Sequence, residues 1–185
     1  MFNTWYSRVR EEIKSQYGDD WELFANLLAA TSPRKQVGAN WRLADKVYDW
    51  WKDAPPISAR HVAIPGVIAD LGVMPSMIPN VIRALSREEL SGPKVRAFAA
   101  NLKGDMSQVT VDIWMLRLFD YDKPTEKHRK EVVDYVIRAA AELGCEPAEV
   151  QAEMWQHSIR RAGREPKSYL VAAVKQRQLN LFEEV

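Results

Sequence analysis

The chain has 185 residues, of which 46% are hydrophobic and 28% charged, and its formal net charge is +1. This composition suits one compact domain, or one domain with a small extra lobe, and the near-neutral charge excludes an overall basic field that would attract nucleic acid. A single cysteine excludes a disulfide framework and a cysteine-held iron–sulfur cluster, and no apolar run approaches the roughly 18 residues of a membrane span, so we expect a cytoplasmic protein without a membrane segment.

Helical periodicity dominates the chain, because apolar residues recur at spacings of three and four. In chain order, the pattern predicts helices at about 2–16, 21–30, 33–51, 58–71, 76–85, 93–103, 113–119, 125–143, 147–161 and 167–176. The two prolines of "KDAPPIS" break any helix and predict a loop. The one strand-like run, "QVTV", is too short to found a sheet. The sequence therefore predicts an all-α fold.

A lysine occupies an unusual place in the segment "LSGPKVRAFAANL". Ser91 or Gly92 can cap the helix, Pro93 fits its first position, and Lys94 falls in the first turn. A cation there loses roughly 0.3–1 kcal/mol to the helix dipole. The same field favours a bound phosphate and the neutral, nucleophilic amine. Lys94 is either an exposed side chain that reaches water or a group with a chemical role.

Asp112 stands between two apolar residues at the start of the next predicted helix. It can serve as the N-cap of that helix, which contributes about 1 kcal/mol. A carboxylate held by helix amides is also positioned to orient water or to stabilise a positive charge. Both interpretations stay open, and capping does not exclude chemistry.

Together, these residues resemble the signature of the helix-hairpin-helix DNA glycosylase superfamily. Members carry Leu-Pro-Gly-Val-Gly-x-Lys, followed by Val-Asp-x-His-x-x-Arg. The matching residues here are Leu90, Ser91, Gly92, Pro93 and Lys94, then Val111, Asp112 and Arg117. Eighteen residues separate Lys94 from Asp112, as in endonuclease III-like members. The resemblance implies that Lys94 corresponds to the Schiff-base lysine of the bifunctional enzymes and Asp112 to the catalytic aspartate.

A second stretch, "LLAATSPRKQVGANWRLADKVY", is similar to the early helix pair of the same superfamily, so the resemblance covers about residues 20–120. It implies one domain over 1–176, with two lobes and a cleft between them. One lobe is expected at about 20–120 and the other from 1–19 and 121–176. Three features depart from the pattern: the hairpin is two residues shorter, it keeps one glycine, and Trp114 replaces the usual histidine. The segment looks more similar to phage-type proteins and to archaeal oxoguanine-glycosylase-like variants than to endonuclease III itself, and the resemblance implies no particular substrate.

The resemblance also implies a DNA partner and a set of contacts to it. The expected DNA-binding residues are Arg34, Lys35, Ser91, Gly92 and Arg96, and the expected base-pocket residues are Trp41 and Trp114. Solvated helix ends account equally for the basic residues, and core packing accounts for the tryptophans. We expect no cofactor and no metal site, because the three histidines lie far apart without ligand spacing.

Residues 177–185 are predicted to form a flexible tail. Gln178, Leu179, Leu181 and Phe182 resemble the motif that binds bacterial sliding clamps, Gln-Leu-(Ser/Asp)-Leu-Phe, with Asn180 as a departure. Burying each apolar side chain contributes about 1.5–3 kcal/mol, and a net of roughly 6–8 kcal/mol corresponds to about micromolar affinity. The alternative is that these side chains pack on the protein's own core.

These features predict a monomeric DNA glycosylase, with or without an AP-lyase step, that excises a damaged or modified base. The clamp motif predicts recruitment by a bacterial sliding clamp, in a bacterium or in the host cytoplasm of a phage. Two alternatives remain. One is a catalytically inactive DNA- or clamp-binding module, and the other is a phage base-modification enzyme on the same scaffold.

Overall fold

The computed structural model describes residues 5–53 and 64–172, and every regular element in these ranges is a helix. The helices are α1 (Trp5–Tyr17), α2 (Trp21–Ala30), α3 (Val37–Asp53), α4 (Ile64–Asp70), α5 (Ile78–Leu85), α6 (Pro93–Lys103), α7 (Ile113–Leu118), α8 (Glu126–Leu143) and α9 (Pro147–Arg161). A 3₁₀ turn at Gly18–Asp20 precedes α2. No strand occurs in the described residues, so the predicted all-α class is confirmed for them.

One predicted helix begins at the wrong residue. Pro33 was expected in the first turn of the third helix, but α3 begins at Val37. The reason lies at Arg34, whose φ of 58° places it in the left-handed region. A residue in that conformation cannot continue a right-handed helix, so 31–36 form a turn instead.

The chain divides into two compact units. The first is formed by Met1–Arg10 with Gly92–Pro166, and the second by Glu11–Ser91 with Lys167–Val185. The boundaries fall inside α1, directly before α6, and between Pro166 and Lys167. The predicted cleft and its two lobes stay a prediction, and the predicted tail at 177–185 lies outside the described residues. Within those residues, no helix has both the length and the apolar character to cross a bilayer.

The core of the first unit lies under the segment that carries Asp112. Val132, Val136 and Ala140 follow one face of α8 at four-residue spacing and are almost completely buried. They pack with Met115 and Leu116 of α7. This apolar cluster therefore holds α7, and with it the residue that caps α7.

The second unit contains a buried polar network centred on Asn40, which has no exposed surface. Its Nδ2 donates hydrogen bonds to the Leu28 carbonyl and the Tyr169 hydroxyl, both at 2.9 Å. Its Oδ1 accepts from Thr31 Oγ1 at 2.8 Å. The amide therefore joins three chain segments through buried hydrogen bonds.

We expect Asn40→Ala to lower the free energy of unfolding by about 2–4 kcal/mol, because buried polar partners lose their hydrogen bonds. Urea denaturation followed by circular dichroism measures this change. Asn26→Ala is the matched control, since Asn26 Oδ1 is buried without a hydrogen bond in the described residues. Equal destabilisation by the two substitutions would contradict a structural role for the network.

Candidate active site

Lys94 lies where the sequence predicts, in the first turn of α6. Gly92 precedes the helix as its N-cap with φ 89° and ψ 137°, a conformation that strains any residue with a Cβ, and Pro93 is the first helical residue. The Lys94 side chain is half-buried. The conformations of Gly92 and Pro93 therefore determine where α6 begins and place Lys94 in its first turn.

The hairpin before α6 is held by an asparagine that the sequence analysis did not single out. Asn80 Oδ1 accepts a hydrogen bond from the Ser91 backbone N–H at 2.7 Å, and Asn80 Nδ2 donates to the Ser91 carbonyl at 3.0 Å. Both backbone groups of Ser91 are thereby satisfied, so its N–H is not free to bind a phosphate in this conformation. The predicted DNA contact at Ser91 is restricted to its exposed side chain.

Asp112 caps α7 as predicted. Its Oδ1 accepts hydrogen bonds from the backbone N–H groups of Trp114 at 2.9 Å and Met115 at 3.1 Å. Its Oδ2 accepts a third from Trp155 Nε1, on α9, at 3.0 Å. Three donors therefore orient a half-buried carboxylate.

A buried amide connects the helix of Lys94 to the segment that leads to Asp112. Asn101, near the end of α6, has no exposed surface. Its Nδ2 donates to the Gln108 carbonyl at 2.9 Å, and its Oδ1 accepts from Thr110 Oγ1 at 3.0 Å. The segment between α6 and α7, which connects the helix of Lys94 to Asp112, is therefore held in place by the buried Asn101 side chain.

Arg129 completes the site and was not found from the sequence. It lies on α8, and its Nη1 donates to the Val111 carbonyl at 3.1 Å, next to Asp112. Its positive charge is close enough to act on Lys94. The site thus combines two cations and one carboxylate, all within the first unit.

The environment of Lys94 lowers the pKa of its ammonium below the ordinary value of 10.5. Burial is the largest cause, because it removes water from the charged form. The Asp112 carboxylate opposes this shift, and the Arg129 guanidinium adds to it. Among the described residues, no hydrogen bond or ion pair joins Lys94 to Asp112, so the attraction acts through space. More neutral amine is therefore present at a given pH than on an exposed lysine.

The two predicted base-pocket tryptophans have different surroundings. Trp41 is completely buried in the second unit, where its ring centroid lies 5.0 Å from that of Phe24. Core packing accounts for it, and it offers no surface on which a base could stack. Trp114 is half-buried, and the guanidinium groups of Arg117 and Arg164 lie over its ring. Trp114 follows Asp112 by two residues, and its backbone N–H donates to that carboxylate.

The remaining predicted residues lie on surfaces or outside the described ranges. Arg34 and Lys35 belong to the turn before α3, in the second unit, where Arg34 is exposed and Lys35 half-buried. Arg96 is exposed on α6, two residues after Lys94. The clamp-motif residues Gln178, Leu179, Leu181 and Phe182 lie outside the described residues.

Comparison with known families gives one match. The model of the family described as "Family of unknown function (DUF7178)" matches residues 3–162. The chain belongs to this family. The DUF7178 match includes Lys94, Asp112, Arg129 and Trp155. Comparison with curated proteins and with solved structures gave no significant match.

Proposed function

We propose that the protein is a DNA glycosylase of the helix-hairpin-helix type, and that Lys94 and Asp112 carry its chemistry. The observation that supports this most is the pairing in one compact unit of a half-buried amine with a lowered pKa and a carboxylate held by three donors. A short hairpin connects α5 to α6, the helix that carries Lys94, and Asp112 follows at the start of α7. Nucleophile, charge and fixed geometry are the requirements of this reaction class.

The reaction that fits the site begins with the neutral Lys94 amine. The amine attacks C1′ of the deoxyribose, the C1′–N bond breaks, and the base leaves with the bonding electron pair and takes up a proton. A proton moves from the resulting ammonium to O4′ as the C1′–O4′ bond breaks, which opens the sugar ring and leaves a protonated Schiff base between Lys94 and C1′. Loss of a C2′ proton then expels the 3′ phosphate, which is the lyase step. The Asp112 carboxylate stabilises the positive charge that develops on the sugar.

A monofunctional reaction uses the same two groups differently. Asp112 orients a water that attacks C1′, and Lys94 contacts a phosphate without forming a covalent bond. The Asp112 carboxylate also suits this role, because Trp114, Met115 and Trp155 hold it in place without a hydrogen bond from Lys94. The Schiff-base route requires a neutral amine, which the lowered pKa of Lys94 favours.

A binding module without catalysis is the second candidate, and the hairpin is the observation that favours it. Gly92 is its one glycine, and the Ser91 N–H is already bonded to Asn80. Fewer backbone amides are then available for a DNA phosphate than in the superfamily pattern. Recruitment by a bacterial sliding clamp through residues 178–182 is part of either proposal and depends on the sequence motif alone.

A screen of base release distinguishes these candidates. Duplexes that each carry one modified or damaged base, together with phage DNAs that carry natural modifications, are incubated with the protein under single-turnover conditions. Borohydride is added in a parallel set. Free base with a trapped adduct supports a bifunctional enzyme, and free base without an adduct supports a monofunctional one. DNA binding without base release on any substrate would overturn the glycosylase proposal in favour of the module.

The pH dependence of adduct formation tests the influence of Arg129. The adduct rate should rise with pH as Lys94 loses its proton. Arg129 disfavours the ammonium, so Arg129→Gln should raise the pKa of Lys94 and move the rising limb to higher pH. Arg138→Gln, an exposed arginine on the same helix, is the matched control. A limb that stays in place in Arg129→Gln, or moves equally in both variants, would contradict this prediction.

A further inference from the structure

The Trp114 ring is covered by two arginines from different parts of the first unit. The guanidinium carbon of Arg117, on α7, lies 4.9 Å from the ring centroid, and that of Arg164, after α9, lies 5.4 Å from it. Ser158 Oγ donates to the Trp114 carbonyl at 2.7 Å and fixes α7 against α9. The same aromatic ring therefore contacts both cations.

No carboxylate of residues 5–53 or 64–172 forms an ion pair with these arginines. Arg117 and Arg164 are exposed, and among the described residues neither forms an ion pair, although Asp120 and Glu165 are near them in the sequence. Two further exposed arginines, at positions 160 and 161, end α9 and also lack a carboxylate partner in the described part of the chain. An anion that binds at these arginines would therefore meet positive charge that no ion pair in the described residues offsets.

We propose that Arg117 and Arg164, held over Trp114, bind the phosphodiester backbone of the DNA strand that carries the target base. A planar guanidinium donates two parallel hydrogen bonds to a phosphate, and stacking on the indole leaves the N–H edges available. Trp114 follows Asp112 by two residues and donates its own N–H to that carboxylate. Phosphates bound at this cluster therefore lie beside the reacting groups. The identification of the polyanion as DNA rests on the proposed function.

Trp114 thereby has a different role from the one expected from the sequence. Its ring contacts two guanidinium groups, which would compete with a flipped base for the same aromatic surface. Trp114 stands where the helix-hairpin-helix glycosylase pattern has a histidine. By holding two arginines, it would provide contacts to the DNA backbone away from the shortened hairpin. Phosphate contacts of this kind determine affinity and register and carry no base specificity.

The test is a binding measurement that requires no chemistry. Fluorescence anisotropy with a duplex that contains an uncleavable abasic analogue gives the dissociation constant at several salt concentrations. We expect the double variant Arg117→Gln/Arg164→Gln to raise the dissociation constant at least about tenfold and to reduce the salt slope by about 2. The matched control is Arg8→Gln/Arg138→Gln, which removes two exposed arginines of the same unit. Thermal midpoints of both double variants establish that they fold.

A second variant separates arginine geometry from charge alone. Arg117→Lys/Arg164→Lys should keep the salt slope and recover only part of the affinity, because an ammonium cannot make the paired hydrogen bonds. Wild-type affinity and slope in the glutamine double variant would overturn the proposal. So would competition by polyglutamate as strong as that by DNA, which would identify an acidic protein as the partner.

Failure of this inference and failure of the proposed function are distinguishable. Arginine-dependent DNA binding by a protein that releases no base leaves the phosphate contacts in place and removes the glycosylase proposal. Base release by the wild type, with unchanged binding in the glutamine double variant, removes the phosphate contacts alone.

Discussion

Replacing Lys94 by glutamine should abolish the covalent adduct with DNA and reduce strand cleavage at abasic sites at least about a thousandfold, because the nucleophile is lost. Glutamine keeps a polar side chain at a half-buried position in the first turn of α6, so the fold should persist. The measurement is borohydride trapping together with single-turnover cleavage of an abasic duplex. DNA binding by anisotropy should remain close to that of the wild type.

The matched control is Lys103→Gln, which removes an exposed lysine from the last turn of the same helix. It should form the adduct at the wild-type rate. An adduct that persists in Lys94→Gln would show that another amine reacts, and the lyase role of Lys94 would be wrong. Loss of the adduct in both variants would indicate a general effect of charge.

Replacing Asp112 by asparagine should reduce base release by about 10²–10⁴-fold, with DNA binding retained. The substitution removes the negative charge and replaces one carboxylate oxygen by an amino group. Whichever way the amide is turned, one set of donors loses its acceptor: the N–H groups of Trp114 and Met115, or the indole N–H of Trp155. Single-turnover release of a modified base, once identified, measures the effect.

Two companion variants divide this effect into charge and orientation. Trp155→Phe keeps the Asp112 charge and removes one donor, so its loss of rate should be smaller than that of Asp112→Asn. Asp120→Asn is the matched control, because Asp120 is exposed and its φ of 58° is one that asparagine tolerates. A full rate in Asp112→Asn would assign Asp112 to capping alone.

The local parts of the site could be predicted from the sequence. Asp112 bonds to amides two and three residues away, so the cap is contained in a four-residue pattern. Lys94 directly follows Pro93, and the sequence Ser-Gly-Pro before it is a recognisable helix start. Such features depend on neighbours along the chain, and for this reason periodicity and capping preferences indicate them.

The rest of the site depends on contacts between distant segments. Trp155 reaches Asp112 from 43 positions away, and Arg129 binds the Val111 carbonyl from 18 positions away. No spacing rule connects these residues, because their meeting depends on how α8 and α9 pack. Burial also cannot be predicted from a local sequence pattern. Trp41 and Trp114 are both tryptophans on helices, yet Trp41 is completely buried and Trp114 is half-buried with two arginines over its ring.

All the groups assigned to the chemistry belong to the unit that contains Gly92–Pro166. Lys94, Asp112, Arg129 and Trp155 consequently keep their mutual distances irrespective of the placement of the other half of the polypeptide. Substitutions confined to residues 11–91 are therefore expected to leave the arrangement of these four side chains unchanged.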